Sequence, residues 1–260
     1  MASQQERADR FRALHEGDPF LIPNPWDAGA ARVLEGLGFQ ALASTSSGFA
    51  FTLGRPDGGA TLDEVIEHTR VLAAATTLPL SVDLEDGHRD PASAIVRVAE
   101  AGAVGGSIED WDRGSESIYA LEEAAERVAA AVEAAAGLGF PFTLTARAEN
   151  HIHGRPDLGD TIARLQAYER AGADVLYAPG LREAGEVRAI CEAVSKPVNV
   201  LAHAGLSMAD VVEAGAQRIS VGGALTWVAA AAMAEAAKEL LEGDFSALRG
   251  QGELRGYLAE

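Results

Sequence analysis

Residues 79–108, PLSVDLEDGHRDPASAIVRVAEAGAVGGSI, contain two short apolar runs on either side of a segment with helical spacing. The runs, 79–84 and 103–108, are followed by polar or glycine-containing residues, which is typical of buried parallel strands. The segment between them begins with Asp90 and Pro91, a favoured pair for the N-cap and the first position of a helix. The stretch therefore predicts a strand, a helix and a second strand.

The same alternation continues in both directions along the chain. Further strand-like runs lie at 20–23, 40–45, 142–146, 174–178, 197–202 and 218–222. Helical spacing is found at 26–37, 61–75, 119–136, 158–171, 183–194, 207–214 and 224–242, in addition to 90–101. Eight strands alternating with eight helices over about 250 residues indicate a (β/α)8 barrel, the TIM-type α/β fold. An open doubly wound sheet is the structural alternative, but the first strand–helix turn, IPNPWDAG, is not a dinucleotide-binding fingerprint.

The two ends of the chain lie outside this alternation. Residues 3–16 predict a short extra N-terminal helix, and residues 243–260 predict a short additional helix or cap. Residues 1–260 contain no break in composition and no linker rich in proline or serine, so we expect a single domain. We expect neither a signal peptide nor a membrane-spanning helix, because the N-terminus lacks an apolar core and no window holds about 18 uncharged apolar residues.

The composition restricts the partners of the protein. Acidic residues outnumber basic residues 39 to 21, and the formal net charge of −18 argues against nucleic acid and anionic membrane surfaces. A small anionic substrate is still allowed, because a few local cations or a metal ion can reverse the field inside one pocket. The single cysteine, Cys191, rules out an internal disulfide and favours a reducing, cytoplasmic location.

Charged side chains cluster where the predicted strands end, which is where (β/α)8 barrels carry their chemistry. Asp83 and Glu85 follow one strand, Glu109 the next, and Arg147 the strand after that. Because strand side chains alternate, we expect Asp83 and Glu85 on the same face. Gathered carboxylates repel each other and need a cation, and all-oxygen ligands select a hard ion such as Mg²⁺, with Mn²⁺ as the alternative. Arg147 is then placed to hold a substrate carboxylate through two hydrogen bonds.

A structural explanation of these residues competes with the functional one. A single acid at a strand end is more often a helix cap or a partner of an arginine than a metal ligand. Three such acids, together with Arg147 and with Asn199 on a further strand, are less easily explained by coincidence. The spacing by itself names no substrate.

Eight motifs between Asn24 and about Leu241 resemble, in this order, those of the isocitrate lyase/phosphoenolpyruvate mutase superfamily. They are NPWDAGAARVLEGLGFQALASTSSG, GRPD, DLEDG, GAVGGSIED, TARAEN, ERAGADVLYAPGL, KPVNV and AQRISVGGAL. Each motif is weak alone, but their order and spacing are specific. The resemblance implies a (β/α)8 fold, in agreement with the strand count. It also implies an enzyme that makes or breaks a C–C or P–C bond next to a 2-oxo acid or its enolate, with Mg²⁺ bound.

The resemblance further implies roles for individual residues. Asp83 is similar to the direct metal ligand of the family, and Glu85 and Glu109 to ligands that act largely through water. Arg147 resembles the arginine that binds the substrate carboxylate, and Asp57 the loop acid near metal and substrate. The implied catalytic residues are Arg147, Asp57 and Glu109, and the implied substrate-binding residues are Thr45, Ser46, Ser47, Gly48, Arg147 and Asn199. The motif does not decide which residue of Thr45-Ser46-Ser47 contacts the substrate.

Two departures from the family pattern leave the reaction open. The loop after the fourth strand, WDRGSESIYALEE, lacks the cysteine that serves as acid or base in isocitrate and methylisocitrate lyases. Ala178-Pro179-Gly180 stands where the mutase branch has a histidine. By position, the candidates for an acid or base are Tyr177, Glu149, His151 and His203.

The expected function is therefore that of a Mg²⁺-dependent lyase or decarboxylase acting on a small 2-oxo (di)carboxylic acid through an enolate. One alternative is a phosphonomutase of the phosphoenolpyruvate or carboxyphosphonoenolpyruvate type, which acts on a P–C bond. The other alternative is a non-catalytic homologue that binds a carboxylate. The resemblance also implies a homodimer or a homotetramer.

Overall fold

The computed structural model describes residues 2–248 and 252–258, and its centre is one sheet of eight parallel strands. The strands of this sheet are β1 (Phe20–Ile22), β2 (Leu42–Ala43), β3 (Leu80–Asp83), β4 (Gly105–Glu109), β7 (Thr143–Arg147), β8 (Val175–Tyr177), β9 (Val198–Leu201) and β10 (Arg218–Ser220). Two further strands, β5 (Trp111–Asp112) and β6 (Ser117–Ile118), form a separate hairpin. The helices of the described residues are α1 (Gln4–Glu16), α2 (Ala28–Gly36), α3 (Ser46–Thr52), α4 (Leu62–Ala75), α5 (Pro91–Glu100), α6 (Leu121–Ala136), α7 (Leu158–Ala171), α8 (Ala184–Ala193), α9 (Met208–Glu213), α10 (Ala224–Leu241) and α11 (Gly252–Gly256).

The sheet closes almost completely on itself. Its strands follow the order β1-β10-β9-β8-β7-β4-β3-β2, and every neighbouring pair is parallel. The two end strands, β1 and β2, are joined where the Ala43 N–H donates to the Pro23 carbonyl at 3.1 Å. The predicted (β/α)8 barrel with an extra N-terminal helix is confirmed.

Helices of the barrel begin at local sequence signals. Thr61 and Glu64 form a capping box at the start of α4, in which each side chain binds the backbone N–H of the other residue. At α5, the Asp90 side chain accepts from the Ser93 N–H, and Pro91 occupies the first helical turn. The boundaries predicted for these two helices therefore agree with the structure.

Alternation along the strands separates the core from the barrel interior. In β3, Leu80 and Val82 belong to the buried apolar layer beneath the helices. Ser81 and Asp83 alternate with them along the strand and line a cavity inside the barrel. The fold thus turns alternate polar residues of several strands toward one internal space.

Helix α1 covers the N-terminal end of the barrel. Phe11 is fully buried in an apolar cluster with Phe20 and Ile22 of β1. One turn later, His15 Nδ1 lies 2.8 Å from the Phe11 carbonyl oxygen, and His15 Nε2 lies 3.2 Å from Nη1 of Arg218. A guanidinium only donates, so His15 Nε2 accepts and the ring is neutral. Burial is the main cause that lowers the pKa of His15 to about 3.

We expect a His15→Gln substitution to remove part of the acid sensitivity of the fold. The pKa of His15 is about 3 in the folded protein against an ordinary value of 6.5, so between pH 6 and 5 only the unfolded chain takes up a proton there. Over that interval His15 lowers the free energy of unfolding by up to about 1.4 kcal/mol. Urea unfolding at pH 7 and at pH 5 should show that the difference in free energy of unfolding between wild type and His15→Gln becomes smaller as the pH falls. A difference that stays constant would mean that His15 is protonated in the folded state as well.

The barrel carries two insertions that the alternation pattern does not predict, α3 after β2 and the β5–β6 hairpin after β4. Both are too short to give a periodic pattern. At the other end of the chain, α11 forms part of the cap predicted at 243–260, and residues 249–251 and 259–260 lie outside the described residues. None of the helices in the described residues is long and apolar enough to cross a membrane.

Helix α10 is rich in apolar residues that are not covered. Trp227 is 54% exposed, Met233 is 64% exposed and Leu241 is 90% exposed. At its N-terminal end α10 contacts α3, where the Trp227 and Phe51 rings lie edge to face with centroids 5.4 Å apart. Such a surface usually marks an interface, because isolated proteins seldom expose a long apolar face to water.

Candidate active site

A cavity of about 210 Å³ opens at the C-terminal end of the barrel. Its walls are inward-facing strand residues and the loops that follow them, and they include Thr45, Ser46, Ser47, Asp57, Asp83, Ser107, Arg147, Tyr177, Asn199, Arg218 and Ser220. A larger cavity, of about 400 Å³, lies at the opposite end of the barrel beside α1. We place the candidate site in the smaller cavity, because Asp83 and Arg147 line it and it faces the end at which barrel enzymes carry their chemistry. Its volume suits a small acid better than a drug-sized ligand.

Arg147 is the centre of the charged network in this cavity. It ends β7, and its guanidinium contacts three carboxylates: Nη1 lies 2.9 Å from Asp83 Oδ1, Nη2 lies 3.0 Å from Glu109 Oε2, and Nε lies 2.8 Å from Glu149 Oε1. Glu109 and Arg147 are register partners on β4 and β7, so the pairing follows from the sheet. Burial opposes the charge of Arg147, but these carboxylates raise its pKa well above the ordinary value.

Asp83 is held in a fixed orientation at the end of β3. Its Oδ2 accepts from the Ser46 N–H at 3.0 Å, its Oδ1 accepts from the Glu85 N–H at 3.3 Å, and its own N–H donates to Ser44 Oγ at 2.9 Å. Burial disfavours its charge, but Arg147 and these N–H groups together lower the pKa of Asp83. The carboxylate is therefore ionised and preorganised.

Glu85 reaches the site by a different route from the one predicted. Strand β3 ends at Asp83, and Glu85 has a φ of 52°, in the left-handed region that non-glycine residues seldom occupy. The expectation that alternation puts Asp83 and Glu85 on one strand face is therefore wrong, because a tight turn and not a strand carries Glu85. Its carboxylate is buried, and burial raises the pKa of Glu85 to about 7.

The predicted metal ligands belong to one network but do not form a ready-made metal site. Asp83 and Glu109 share Arg147, and Glu85 and Glu109 both contact Arg113, at 2.8 Å from Nε and 3.9 Å from Nη2 respectively. Among residues 2–248 and 252–258, no three His, Cys, Asp or Glu side chains are arranged to hold an ion as they stand. The donors are carboxylate oxygens, which fit Mg²⁺ in chemistry. Guanidinium groups lie between them, so ligation requires these side chains to move.

The buried glutamates carry an excess of negative charge. Burial is the largest cause that raises the pKa of Glu109 and of Glu149, and neighbouring carboxylates act in the same direction. Arg147 opposes both effects. The network therefore favours the uptake of a cation or a proton.

Most of the residues predicted to bind the substrate at positions 45–48 make local contacts. The Thr45 hydroxyl caps α3 by accepting from the Gly48 N–H at 3.3 Å. Gly48 is tightly packed, since a Cβ there would lie 2.6 Å from Thr226 Oγ1 and 3.0 Å from Trp26 Cβ. Thr45, Ser46 and Ser47 line the cavity, and Gly48 lies behind them.

Asn199 and Asp57 lie at opposite depths of the cavity. The Asn199 side chain is buried, donates to Ser220 Oγ at 2.9 Å and accepts from Arg218 Nε at 2.9 Å. Asp57 is half-exposed in the loop between α3 and α4, with Oδ2 3.7 Å from Arg113 Nη2. Both residues line the cavity, Asn199 near its floor and Asp57 near its mouth.

Among the acid–base candidates, Tyr177 has the best position. It lines the cavity, its ring centroid lies 5.4 Å from the Arg147 guanidinium carbon, and burial raises its pKa to about 12. Glu149 is buried behind Arg147. His151 and His203 are outside the cavity wall. Tyr177 therefore stays protonated at neutral pH and can donate a hydrogen bond.

Three site residues were not predicted from the sequence: Arg113, Arg218 and Asn24. Arg113 lies on the hairpin after β4, where no pattern indicates its direction. Arg218 is buried at the floor, donates to Asn199 and Thr145, and burial lowers its pKa to about 10. The sequence signal that could have identified Arg218 is its position as a charged residue at the start of a buried strand. Asn24 lines the cavity wall after β1.

Proteins of similar sequence and structure place the chain in a family. The sequence model of the phosphoenolpyruvate phosphomutase family matches residues 11–241. A 2-methylisocitrate lyase from Halalkalibacterium halodurans is 32% identical over 75% of this chain and 67% of that protein, and an oxaloacetate decarboxylase from a Bradyrhizobium species is 31% identical over 83% and 77%. A crystal structure from Burkholderia cenocepacia, of a protein with a provisional lyase/mutase description, matches with a TM-score of 0.94 and 49% identity, covering 99% of this chain and 97% of that one. This chain is therefore a member of the phosphoenolpyruvate phosphomutase family, in the isocitrate lyase/phosphoenolpyruvate mutase superfamily of lyases, decarboxylases and mutases.

Proposed function

We propose that the protein is a Mg²⁺-dependent lyase or decarboxylase that cleaves a bond to C3 of a small 2-oxo (di)carboxylic acid through an enolate. The observation that carries the proposal is the contact of Arg147 with Asp83 and Glu109, in which Arg147 and Asp83 line a small cavity. It combines hard oxygen donors with a guanidinium that can bind a carboxylate. The relatives that act as 2-methylisocitrate lyase and oxaloacetate decarboxylase support this class of reaction.

In this proposal Asp83 would hold the ion, and Glu85 and Glu109 would supply further oxygen donors. When bound, Mg²⁺ (or Mn²⁺) supplies Lewis-acid polarisation of the oxygens of a 2-oxo acid. Arg147 exchanges part of its contact with the carboxylates for the substrate carboxylate and so orients the acid. The Ser47 N–H and the hydroxyl groups of Ser46 and Ser47 stabilise negative charge on the substrate oxygen. Asp57 closes the mouth of the cavity, and Asn199 binds the substrate from the floor.

The mechanism also needs a general acid. We assign it to Tyr177, because its hydroxyl keeps its proton at neutral pH and it lines the same cavity as Arg147. In a decarboxylation, the bond from C3 to the departing carboxylate breaks, CO₂ leaves and the electron pair forms the enolate. The Tyr177 hydroxyl would then give its proton to C3 of the enolate and regain one from water.

Product analysis tests the proposal. The protein is incubated with Mg²⁺ and, separately, with oxaloacetate, phosphonopyruvate and a 2-methylmalate-type acid, and pyruvate is followed by NMR. We expect metal-dependent pyruvate formation from a carboxylic acid, and its loss with EDTA. Turnover of phosphonopyruvate alone would favour the P–C alternative, and binding of these acids without turnover of any would favour the non-catalytic one.

We further propose that a second copy of the chain covers α10, so that the protein is a homodimer or homotetramer. The support is the exposure of Trp227, Met233 and Leu241 on that helix. Light scattering should give a mass of two or four chains, and a Met233→Glu variant should lower this mass.

The net charge of −18 and the single cysteine favour a cytoplasmic protein that binds neither nucleic acid nor membranes.

A further inference from the structure

Arg113 is the residue of the site that neither the sequence motifs nor the family comparison assigns. It lies at the tip of the β5–β6 hairpin, directly after Asp112 of β5. The hairpin is held in place by its paired strands and by the Trp111 ring, which stacks on His153 with centroids 3.5 Å apart. An anchored loop thus presents Arg113 to the acids of the site.

The guanidinium of Arg113 lies among three acids that come from three different parts of the fold. Its Nε is 2.8 Å from Glu85 Oε2, and its Nη2 is 3.7 Å from Asp57 Oδ2 and 3.9 Å from Glu109 Oε1. Two of these acids are proposed metal ligands, and the third is the loop acid beside them. The side chain of Arg113 is 33% exposed, so it closes the cluster from the solvent side.

The loop opposite is shaped to admit this guanidinium. Gly58 has a φ of 79°, and a Cβ at this position would lie 2.3 Å from Nη1 of Arg113. A side chain at Gly58 would take the space in which the guanidinium lies. The contact therefore involves both the hairpin and the loop that carries Asp57.

We propose that Arg113 is the resident cation of this acidic cluster and competes with the divalent ion for Glu85, Glu109 and Asp57. This inference rests on the proposed function, since it assumes that these acids bind a metal. The guanidinium, with Nε 2.8 Å from Glu85 Oε2, occupies the space beside the acids that a metal ion or its water would need, and two cations so close repel each other. Metal binding is then an exchange, in which the ion enters as the guanidinium leaves.

The exchange explains how so many acids share one buried site. Without Arg113, Glu85 would lose the guanidinium beside its carboxylate and Glu109 would keep only Arg147, and burial makes uncompensated charge costly. Arg113 supplies that compensation from within the chain. The consequence is that the metal binds more weakly than it would to the same acids without Arg113.

Calorimetric titration with Mn²⁺ and with Mg²⁺, in the absence of substrate, tests the inference. We expect Arg113→Gln to tighten binding by about tenfold or more, because it removes both a competitor and a positive charge a few ångströms away. The matched control is Arg89→Gln, which removes an exposed charge beside the same hairpin without touching the acids. It should change the affinity less than about twofold. Arg113→Lys, which keeps the charge but not the planar fork, should fall between wild type and Arg113→Gln.

The outcomes separate this inference from the proposed function. Wild type that binds metal, with Arg113→Gln binding it equally or more weakly, would overturn the role of Arg113 and leave the metal site standing. An equal gain in Arg89→Gln would overturn it too, because it would show a general field effect. Absence of binding in wild type and in both glutamine variants would overturn the proposed function itself. Thermal unfolding with and without metal confirms that each variant is folded.

Discussion

An Arg147→Met protein is expected to lose essentially all turnover and about 3–5 kcal/mol of the free energy of unfolding. Arg147 contacts Asp83, Glu109 and Glu149, which would be left without their shared cation. Removing one partner of a buried ion pair typically costs this much, because the remaining charge stays desolvated. Loss of a preorganised donor to the substrate typically lowers kcat by about 10²–10³. Urea unfolding and the pyruvate assay measure the two effects separately.

Arg147→Lys is the control that keeps the positive charge but not the geometry of the guanidinium. A lysine restores a cation but not the planar set of donors that reaches three carboxylates. We expect it to recover a good part of the stability and little of the turnover. An Arg147→Met protein as stable as wild type would contradict the network, since it would mean that the surrounding acids are neutral without the guanidinium.

Asp83→Asn is expected to abolish metal binding and to lower turnover by at least about 10³-fold. The substitution keeps the size of the side chain and removes the one carboxylate that is both ionised and fixed by the backbone N–H groups of Ser46 and Glu85. Calorimetry with Mn²⁺ and the pyruvate assay give the two readouts.

Asp63→Asn is the matched control for the loss of one negative charge. Its side chain is 85% exposed on α4, where it pairs only with Arg97. Such a surface pair contributes little to stability, and we expect metal affinity and turnover within about twofold of wild type. Metal binding that persists in Asp83→Asn would remove Asp83 from the site and with it the proposed mechanism.

The sequence predicted those parts of the site that follow from strand alternation. Glu109 and Arg147 end neighbouring parallel strands, so the sheet register alone brings them together. Asp83 ends the strand on the other side of β4, and its place follows in the same way. The fold was predictable for the same reason, because each strand and each long helix leaves its own periodic pattern.

The placements that escaped prediction depend on turns and on contacts between distant loops. Glu85 is carried by a left-handed turn, which alternation cannot describe. Arg113 acquires its partners only when the hairpin after β4 meets the loop at Asp57, some fifty residues earlier in the chain. Arg218 belongs to a strand that is otherwise apolar, and its polar partners come from β7, β9 and α1.

The junction of β1 and β2 gives the barrel a weak seam. Among the described residues, one backbone hydrogen bond, from Ala43 to Pro23, crosses it, and the Asn24 side chain adds a second link by donating to the Ser44 carbonyl at 3.0 Å. Loosely held junctions open at lower free energy than the rest of a fold. The segment Thr45–Ser47, which lines the cavity, follows directly after this seam. Opening of this junction should therefore widen the cavity beside the serines. Because the Ser46 N–H holds Asp83, the same movement should loosen Asp83, while Glu109 and Arg147 stay paired on β4 and β7.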